Sequence, residues 1–537
     1  AGMIEYRTSC IERVGLFAVW KKNGTKRLII DARLSNLHFD DPEHVSLATG
    51  AAFGSIEVDA GPAIALAGVD IRDAFYNIGL PEWLRPYFGL HSVKASLLGI
   101  SETIEGPVTP NQCVVPVLKV VPMGWTHALW VCQRLHEIVA ERVPGVEEGN
   151  RVVDKQVQPS LIPFGHTEYV DNFVALSQDI DCVKKAADDM SKALNAVGLP
   201  THPVEVSIGG DTLGWHFSEL DPSVSVSPRR LWRLRLGVKE LLRRGRTSGQ
   251  MLERIVGHLT FVGLIRREFL STLFHVCDFI RANYDACVPM WDCVRAELRR
   301  AVALLPLLRR NLAAEWSEVV YATDASTWGR GVVVTTRNVA DVRAVGLVSD
   351  RWRYDKVNED RFAKPRASYA EFDSESLLPT NSQCELLDAS CYTFTEVPVP
   401  FIGDGWEKVD SAPWQRQESI PVLEGRSLVW VCQHLSRSVK NHNKKHVILT
   451  DSMSCVLALT KGRSSNAAMN RICKQIGAIS FATNTQFKFR WIPSEANPAD
   501  GPSRNKPWEG WSIHDFEPGK LLKPARPCSS RHGDAPV

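Results

Sequence analysis

Two short acidic motifs carry the residue types best suited to chemistry in this sequence, VDIRDAFY at 69–76 and YVDN at 169–172. Each sets a carboxylate, that of Asp70 or Asp171, at the end of an apolar run typical of a β-strand. Two carboxylates that meet in space suit Mg²⁺, a hard cation that prefers oxygen ligands. Two such ions could activate a 3′-hydroxyl and stabilise a leaving pyrophosphate. Taken alone, either aspartate is more often a strand-end cap or a salt-bridge partner.

A second set of acids lies downstream and consists of Asp324, Glu424, Asp451 and Asp500. Asp324 and Asp451 end strand-like runs. Glu424 lies on a helical pattern, and Asp500 begins another one after a proline. If these acids converge, they could hold two Mg²⁺ ions, of which one activates water and the other stabilises the leaving 3′-oxygen of a phosphodiester. Each of them alone would be structural in most proteins.

The elements that must position the first pair lie in the first ~220 residues, where strand-like and helical patterns alternate. The strand-like runs are at 15–20, 27–30, 67–71 and 168–176, and the helical patterns are at 128–143 and 181–197. This alternation predicts an α+β fold. A Pro- and Ser-rich joint at 221–228 then leads into a basic, helix-rich segment from 229 to about 312. The second set of acids belongs to a new α/β pattern from 316 to about 504.

Composition limits the class of protein. With 537 residues, 44% apolar and 23% charged, the chain is typical of a folded protein of several domains. The net charge of +2 hides local clusters of lysine and arginine. The thirteen cysteines lack CxxC spacing, and we find no secretory signal and no apolar run of ~20 residues, so we expect an intracellular protein, cytoplasmic or nuclear, with no membrane partner. Because the sequence begins Ala-Gly-Met, we expect a piece of a longer polyprotein.

Two further motifs stand in a fixed order with the first acidic pair. KKNGTKRLIIDAR at 21–33 precedes it, and VPMGWTHA at 121–128 lies between its members. Together the four segments resemble the fingers and palm of reverse transcriptases from LTR-type or DIRS-like retrotransposons. The downstream order of strand acid, helix acid, strand acid and helix acid resembles a ribonuclease H domain. The resemblance implies an α+β right-hand polymerase with fingers, palm and helical thumb, followed by an α/β ribonuclease H-like domain.

The same resemblance implies domain boundaries. Residues 1–225 would form the reverse transcriptase fingers and palm, 226–315 the thumb and connection, and 316–505 the ribonuclease H-like domain. The long gap between Asp324 and Glu424 predicts an insertion at about 341–412, part of which we expect to cover the nuclease cleft. Residues 506–537 are rich in Pro, Gly and Ser, which predicts a flexible tail.

The resemblance assigns nucleotide-binding roles to five residues. Lys26 and Arg27 match fingers residues that clamp the triphosphate of the incoming dNTP, where an Arg fork suits phosphate. Phe75 matches the steric-gate position, at which a ring beneath the sugar would clash with a 2′-hydroxyl. Met123 and Gly124 fall in the turn that supports template and nucleotide, where a glycine permits close approach of the backbone.

Residues that hold the duplex are implied further along the chain. The segment TLGWHF at 212–217 resembles the primer grip and contains Trp215. Dense cations follow, including Arg243 and Arg244, and predict salt-sensitive, sequence-independent binding of nucleic acid. The segment 248–261 resembles the thumb helix and begins with Ser248, a suitable N-cap. Its Gly257 and Phe261 share a helix face, which in the family tracks the minor groove.

For the polymerase the resemblance makes Asp70 and Asp171 the catalytic metal ligands, and it implies two Mg²⁺ ions per active site, which Mn²⁺ could replace. Two positions depart from the family pattern. Asn172 stands where the family has a second aspartate, and as a metal ligand it would bring a carbonyl oxygen without charge, so we expect weaker metal binding. The family's lysine near 198–205 is absent, and His202 could take its place as a proton donor.

For the nuclease the resemblance makes all four downstream acids catalytic metal ligands: Asp324, Glu424, Asp451 and Asp500. The chain would then be a retrotransposon reverse transcriptase that copies RNA and DNA and cleaves the RNA strand of hybrids. Its partners would be an RNA template, a DNA primer, RNA/DNA hybrid and dNTPs. Two alternatives stay open, a degenerate or domesticated copy that only binds nucleic acid as a scaffold, and a nuclease whose palm merely holds the duplex. The sequence makes no prediction of oligomeric state.

Overall fold

The computed structural model describes residues 2–20, 24, 26–356, 384–386, 394–508 and 510–512. The chain forms two compact units. Unit 1 comprises Ala1–Asp154, Gln158–Arg230 and Arg309–Ala313. Unit 2 comprises Lys155–Val157, Leu231–Leu308 and Ala314–Val537. Most of the basic, helix-rich segment therefore clusters with the downstream α/β segment.

The strands in the described part of the chain are β1 (Ile4–Arg7), β2 (Gly15–Trp20), β3 (Lys26–Asp31), β4 (Ala65–Asp70), β5 (Val93–Lys94), β6 (Glu102–Thr103), β7 (Gly106–Pro107), β8 (Cys113–Leu118), β9 (Gly165–Tyr169), β10 (Asn172–Ser177), β11 (Glu205–Ile208), β12 (Gly210–Thr212), β13 (Trp215–Phe217), β14 (Ser223–Val226), β15 (Arg246–Thr247), β16 (Val288–Pro289), β17 (Arg309–Asn311), β18 (Val319–Ala325), β19 (Gly329–Thr336), β20 (Tyr354–Lys356), β21 (Cys384–Leu386), β22 (Glu407–Pro413), β23 (Lys445–Thr450) and β24 (Gln486–Trp491).

The α-helices in the same ranges are α1 (Gly50–Phe53), α2 (Ala74–Asn77), α3 (Ala95–Leu98), α4 (Ala128–Ala140), α5 (Ile180–Ala196), α6 (Pro228–Arg244), α7 (Gly249–Gly263), α8 (His275–Ala282), α9 (Asp292–Leu304), α10 (Val339–Leu347), α11 (Val399–Ile402), α12 (Ile420–Ser436), α13 (Met453–Lys461), α14 (Ala467–Thr483) and α15 (Asp500–Ser503). Short 3₁₀ helices connect them at Ser35–His38, Arg85–Phe88, Glu148–Asn150, Leu264–Thr272, Leu305–Leu307, Asp350–Arg353, Val439–Asn441 and Ser494–Ala496.

Unit 1 is built on an antiparallel four-stranded sheet in the order β11-β4-β10-β9. Helices α4 and α5 contribute buried apolar residues to the core beneath this sheet. On α5 these include Val183, Ala187, Met190 and Leu194, whose spacing of three or four residues keeps them on one helix face. Asp179 caps α5 by accepting a hydrogen bond from the amide of Asp181 at 2.9 Å. The first acidic pair lies at one end of this sheet.

Two sequence predictions in unit 1 need correction. The run 168–176 is not one strand but the hairpin β9–β10, because Val170 takes a φ of +59° and the chain reverses there. The predicted joint at 221–228 contains β14, a buried strand of the four-stranded sheet β12-β13-β14-β17. Its alternating Val224 and Val226 are 0% and 2% exposed, so burial of these valines outweighs the turn character of the intervening serines. The predicted strands at 15–20, 27–30 and 67–71 are confirmed.

Unit 2 is built on a five-stranded sheet in the order β22-β19-β18-β23-β24. Strands β18, β23 and β24 run parallel, while β19 and β22 add antiparallel to one side. One face of the sheet packs against α12, α13 and α14. The other face packs against α10 and α11. Sheet strands buried on both faces explain the continuous apolar runs of the sequence.

The structure describes both ends of the predicted insertion and the start of the predicted tail. Both ends of the segment 341–412 belong to the domain, since α10 packs on the sheet and β22 pairs with β19. Residues 357–383 and 387–393 lie outside the described residues, so coverage of the nuclease cleft stays a prediction. Within the predicted tail 506–537, Trp508 and Trp511 pack against the core, and 513–537 lie outside the described residues. Among the described helices none is long and apolar enough to cross a membrane.

Candidate active sites

The first site lies where β4 ends beside the β9–β10 hairpin. Asp70 is the last residue of β4 and stands opposite Asn172 in the antiparallel register. The amide of Ile71 donates to the carbonyl of Asp171 at 2.9 Å, which continues the pairing past the strand end. Asp70 and Asp171, far apart in the sequence, therefore lie side by side at one edge of the sheet.

The electrostatics of this pair favour a bound cation. Burial raises the pKa of the Asp70 carboxyl, and the negative charge of Asp171 raises it further. His202 acts in the opposite direction, since its Nε2 lies 4.0 Å from Asp70 Oδ2. The amide of His202 also donates to the carbonyl of Asp70 at 2.8 Å, so the backbone holds this histidine beside the acid. A carboxylate whose charge is disfavoured by burial and by a neighbouring carboxylate suits a divalent ion.

The side chain of Asn172 forms a hydrogen bond with Asp171 within this site. Its Nδ2 donates to Asp171 Oδ1 at 2.9 Å. An amide that donates to a carboxylate oxygen holds that carboxylate in place but adds no negative charge. An asparagine at position 172 therefore adds no negative charge to the site while it fixes the orientation of Asp171.

We expect Asn172→Asp to lower the Mg²⁺ concentration needed for half-maximal primer extension. The added carboxylate gains ~1–4 kcal/mol with a cation a few ångströms away, which predicts a shift of between about fivefold and about 800-fold. Titration of Mg²⁺ in a primer-extension assay measures it. Asn172→Ala is the matched control, because it removes the donated hydrogen bond without adding charge. An unchanged Mg²⁺ requirement in the aspartate variant would mean that residue 172 does not face the metal ions.

The predicted nucleotide-binding residues lie on α2, on β3 and in the turn that follows Pro122. Phe75 lies on α2 and packs partly buried against the unit 1 core. Met123 is 44% exposed, and a Cβ on Gly124 would come within 2.2 Å of the Ile30 carbonyl. The absent side chain thus lets this turn approach β3. Lys26 stands over the ring of Trp20 at 4.9 Å, whereas the side chain of Arg27 lies outside the part that the structure describes.

The predicted duplex-holding residues divide into buried and accessible ones. Trp215 is only 1% exposed, so its ring supports the β12–β13 hairpin from inside and is not available to a nucleic acid. Arg243 and Arg244 are exposed and both pair with Glu240, Arg243 at 2.8 Å and Arg244 at 2.9 Å. Exposed ion pairs of this kind contribute little and can exchange for phosphate contacts.

The predicted helix at 248–261 is confirmed as α7, and its role as a thumb stays a prediction. Ser248 is its N-cap and accepts a hydrogen bond from the amide of Met251 at 3.3 Å. Gly257 and Phe261 are both partly exposed, while Leu252, Val256 and Leu259 face the core. The helix therefore has a buried face, and Gly257 and Phe261 belong to its more accessible side.

The second site forms on the central strands of the unit 2 sheet. Asp324 lies on β18 and Asp451 directly follows β23, and these neighbouring parallel strands pair Thr323 with Thr450. Glu424 lies on α12. One carboxylate oxygen from each of the three acids lies within 4.8 Å of the other two. The fold thus brings together three acids that the sequence separates widely.

The charges of this triad are unfavourable without a cation. Burial, followed by the charges of Asp324 and Asp451, raises the pKa of Glu424 to about 10. Burial likewise raises the pKa of Asp324 to about 6, with Asp451 as the next cause. Glu424 Oε2 and Asp451 Oδ1 are buried and have no hydrogen-bond partner among the described residues. A divalent cation bound by oxygen ligands would give both of these oxygen atoms a partner. It would also lower the pKa values of Glu424 and Asp324, so these residues fit a metal ion.

Asp500 stands beside the triad and is not one of its three members. It begins α15, pairs with Arg504 at 2.5 Å, and its charge raises the pKa of Asp324. Ser503, on the same short helix, donates a hydrogen bond to Asp324 Oδ2. Sequence reasoning missed Ser503, although its position three residues after Asp500 places it on the same helical turn. A serine here orients the carboxylate of Asp324.

We expect Glu424→Gln to stabilise the metal-free protein at pH 8. The folded-state pKa of about 10 lies above the ordinary glutamate value of 4.5, so Glu424 favours folding at low pH and loses this contribution as the pH rises from ~4.5 toward 10. Glutamine carries no charge to desolvate, and we expect a gain on the order of 2–4 kcal/mol in the free energy of unfolding. Urea unfolding with a chelator, at pH 5 and pH 8, measures it.

The expected gain should be small at pH 5 and should shrink when Mg²⁺ is added, since the ion stabilises only the wild type. Glu418→Gln is the matched control, because Glu418 is an exposed partner of Arg426 and its pKa is lowered by that hydrogen bond. An equal effect of both substitutions would show that the burial of Glu424 has no energetic consequence.

Comparison with known proteins gives a distant likeness. No protein-family model and no curated protein matches the chain. Among solved structures it is similar to the foamy viral protease-reverse transcriptase dRH in complex with double-stranded DNA, with 11% identity, a TM-score of 0.44, and coverage of 91% of this chain and 67% of that one. It is also similar to the foamy viral protease-reverse transcriptase in complex with dsDNA, with 12% identity, a TM-score of 0.41, and coverage of 92% and 80%.

Proposed function

We propose that this protein is a retrotransposon-type reverse transcriptase that synthesises DNA on RNA and DNA templates and cleaves the RNA strand of hybrids. The observation that carries the proposal is the convergence of Asp324, Glu424 and Asp451, two of which have buried oxygens without hydrogen-bond partners among the described residues. The adjacency of Asp70, at the end of β4, and Asp171, in the turn between β9 and β10, supports a second centre of the same chemical type. Acids placed in this way are those of a two-metal phosphoryl-transfer enzyme.

At the proposed polymerase site the chain's own residues bind, orient and donate protons. Asp70 and Asp171 hold the divalent ions, which when bound supply charge stabilisation to the attacking and leaving oxygens at both sites. Phe75 orients the sugar of the incoming dNTP. Lys26 and Arg27 hold its triphosphate. His202, beside Asp70, protonates the leaving pyrophosphate.

At the proposed nuclease site two buried acids and one half-buried acid would hold the metal, and a fourth acid flanks them. Asp324, Glu424 and Asp451 would be the ligands. Ser503 fixes the Oδ2 of Asp324 by donating to it. Asp500, paired with Arg504, completes the acidic edge that would face the scissile phosphate. Arg243, Arg244, Gly257 and Phe261 would contact the nucleic acid.

The test uses the purified full chain with Mg²⁺ and two substrates. One is a labelled DNA primer on an RNA template with dNTPs, and the other is a hybrid with labelled RNA. We expect extension of the primer and cleavage of the RNA. Cleavage without extension would support a nuclease whose palm only holds the duplex. Two observations favour that candidate, the half-exposed side chain of Asp70 and the uncharged side chain of Asn172. Absence of both activities with retained binding would support a nucleic-acid-binding scaffold.

A further inference from the structure

The hairpin that carries Asp171 contains an unusual backbone conformation. Val170, between β9 and β10, has a φ of +59°. This left-handed region is disfavoured for β-branched residues, whose side chain crowds the backbone there. Such a conformation persists only where neighbouring groups hold it.

Two side chains of α4 bind both backbone polar groups of Val170. Gln133 Oε1 accepts a hydrogen bond from the Val170 amide at 2.7 Å. His136 Nδ1 lies 2.9 Å from the Val170 carbonyl oxygen. Because a carbonyl can only accept, Nδ1 must carry the proton. Both side chains are 0% exposed, and they lie one helical turn apart on the same face of α4.

The orientation of Gln133 is itself fixed. Its Nε2 donates to the carbonyl of Glu168 at 3.0 Å and to Glu137 Oε1 at 3.0 Å, so only its oxygen can face the Val170 amide. Glu137 is held by ion pairs with Arg134 and Arg151. Arg151 also lies 3.0 Å from Glu168 Oε2. A polar network therefore holds Gln133 of α4 in its contact with the β9–β10 hairpin.

His136 is suited to donate one hydrogen bond and no more. Burial lowers its pKa, which favours the neutral ring despite the nearby carboxylates of Glu168, Asp171 and Glu137. Its Nε2 is buried without a hydrogen-bond partner among the described residues. Among the described residues, the hydrogen bond that Nδ1 donates to the Val170 carbonyl is thus the hydrogen bond of the His136 side chain.

We infer that Gln133 and His136 are positioning residues for DNA synthesis: they hold Val170 in its left-handed conformation and so fix the direction of Asp171 toward Asp70. The inference rests on the proposed polymerase function of the first site. It differs from a general packing role because it depends on hydrogen bonds made by identified atoms of Gln133 and His136, to which Cys132 Sγ adds a weaker donation to the Val170 carbonyl at 3.6 Å. Variants that change only these atoms therefore test it.

The experiment compares Gln133→Met, His136→Leu and His136→Asn in the full chain. We expect the first two to lower kcat of primer extension about 10- to 100-fold with a KM for dNTP close to wild type, the range typical of residues that orient metal ligands. His136→Asn should retain most activity, because the asparagine amide can donate from the position of Nδ1. Cleavage of hybrid RNA should stay unchanged in all three. In a chain that also carries Val170→Gly, the loss caused by His136→Leu should shrink, since glycine adopts this φ freely.

Hydrogen exchange at the Val170 amide provides a readout that needs no catalysis. We expect faster exchange in Gln133→Met than in wild type, with an unchanged urea unfolding midpoint for unit 2. If wild type extends no primer while this exchange difference is found, the proposed function fails and the contact with Val170 stands. If exchange and kcat both stay at wild-type values, or if His136→Asn is as defective as His136→Leu, the inference is wrong.

Discussion

Asp171→Asn is expected to reduce primer extension by at least ~10³-fold, because a two-metal site loses one of its bridging charges. The loss should be severe here, since the next residue is Asn172 and brings no carboxylate that could take over. Of the two acids predicted for this site, only Asp70 would then remain at this end of the sheet. Cleavage of hybrid RNA should stay within about twofold of wild type, because the three nuclease acids belong to a separate compact unit.

Asp73→Asn is the matched control for this prediction. Asp73 lies close to Asp70 in the sequence, precedes α2 and has a φ of +46°, a conformation that asparagine tolerates as well as aspartate. We expect the control to extend primers within about twofold of the wild-type rate. The rate is measured as single-nucleotide incorporation at saturating dNTP. If Asp171→Asn extends primers at the wild-type rate, the polymerase chemistry lies elsewhere.

Asp451→Asn is expected to reduce cleavage of hybrid RNA by at least ~10³-fold and to leave primer extension intact. Its Oδ1 is one of the two buried oxygens that lack a partner among the described residues, so the substitution removes a charge at the centre of the triad. The same change removes a cause of the raised pKa values of Asp324 and Glu424. The variant should therefore unfold at higher urea than wild type when Mg²⁺ is chelated at pH 8.

Asp341→Asn serves as the control in this unit. Asp341 lies in the first turn of α10, is exposed, and is not among the acids of the site. We expect wild-type cleavage from it, measured with a hybrid whose RNA strand is labelled at the 5′ end. Equal loss of cleavage in both variants would mean that the triad is not the nuclease centre.

Local patterns explain which elements could be predicted. The apolar runs of β2 and β4 and the spaced apolar residues of α5 are strong short-range signals, so these elements were predictable. Val170 shows the limit, since a β-branched residue in an apolar run gives no sign of a positive φ. The strand β14 was hidden in the same way, because serines and prolines around Val224 and Val226 indicated a turn.

The missed residues share one property, which is that they act across distant parts of the sequence. Ser503 orients Asp324, and Gln133 and His136 bind Val170, in each case between elements separated by many residues. Their own sequence neighbourhoods are ordinary helical ones. Conversely, Trp215 looked accessible in a short hairpin motif, and only its packing revealed that it is buried.

The sequence by itself determined which acids could do chemistry and in what order they follow, because residue type and spacing are local properties. Only the tertiary structure decided how those acids interact. It set Asp70 beside Asp171, gathered Asp324, Glu424 and Asp451 into a group without Asp500, and raised the pKa of Glu424 to about 10. Burial and the distance between charges depend on chain segments that meet only on folding, and for that reason the electrostatics could not be derived from the sequence.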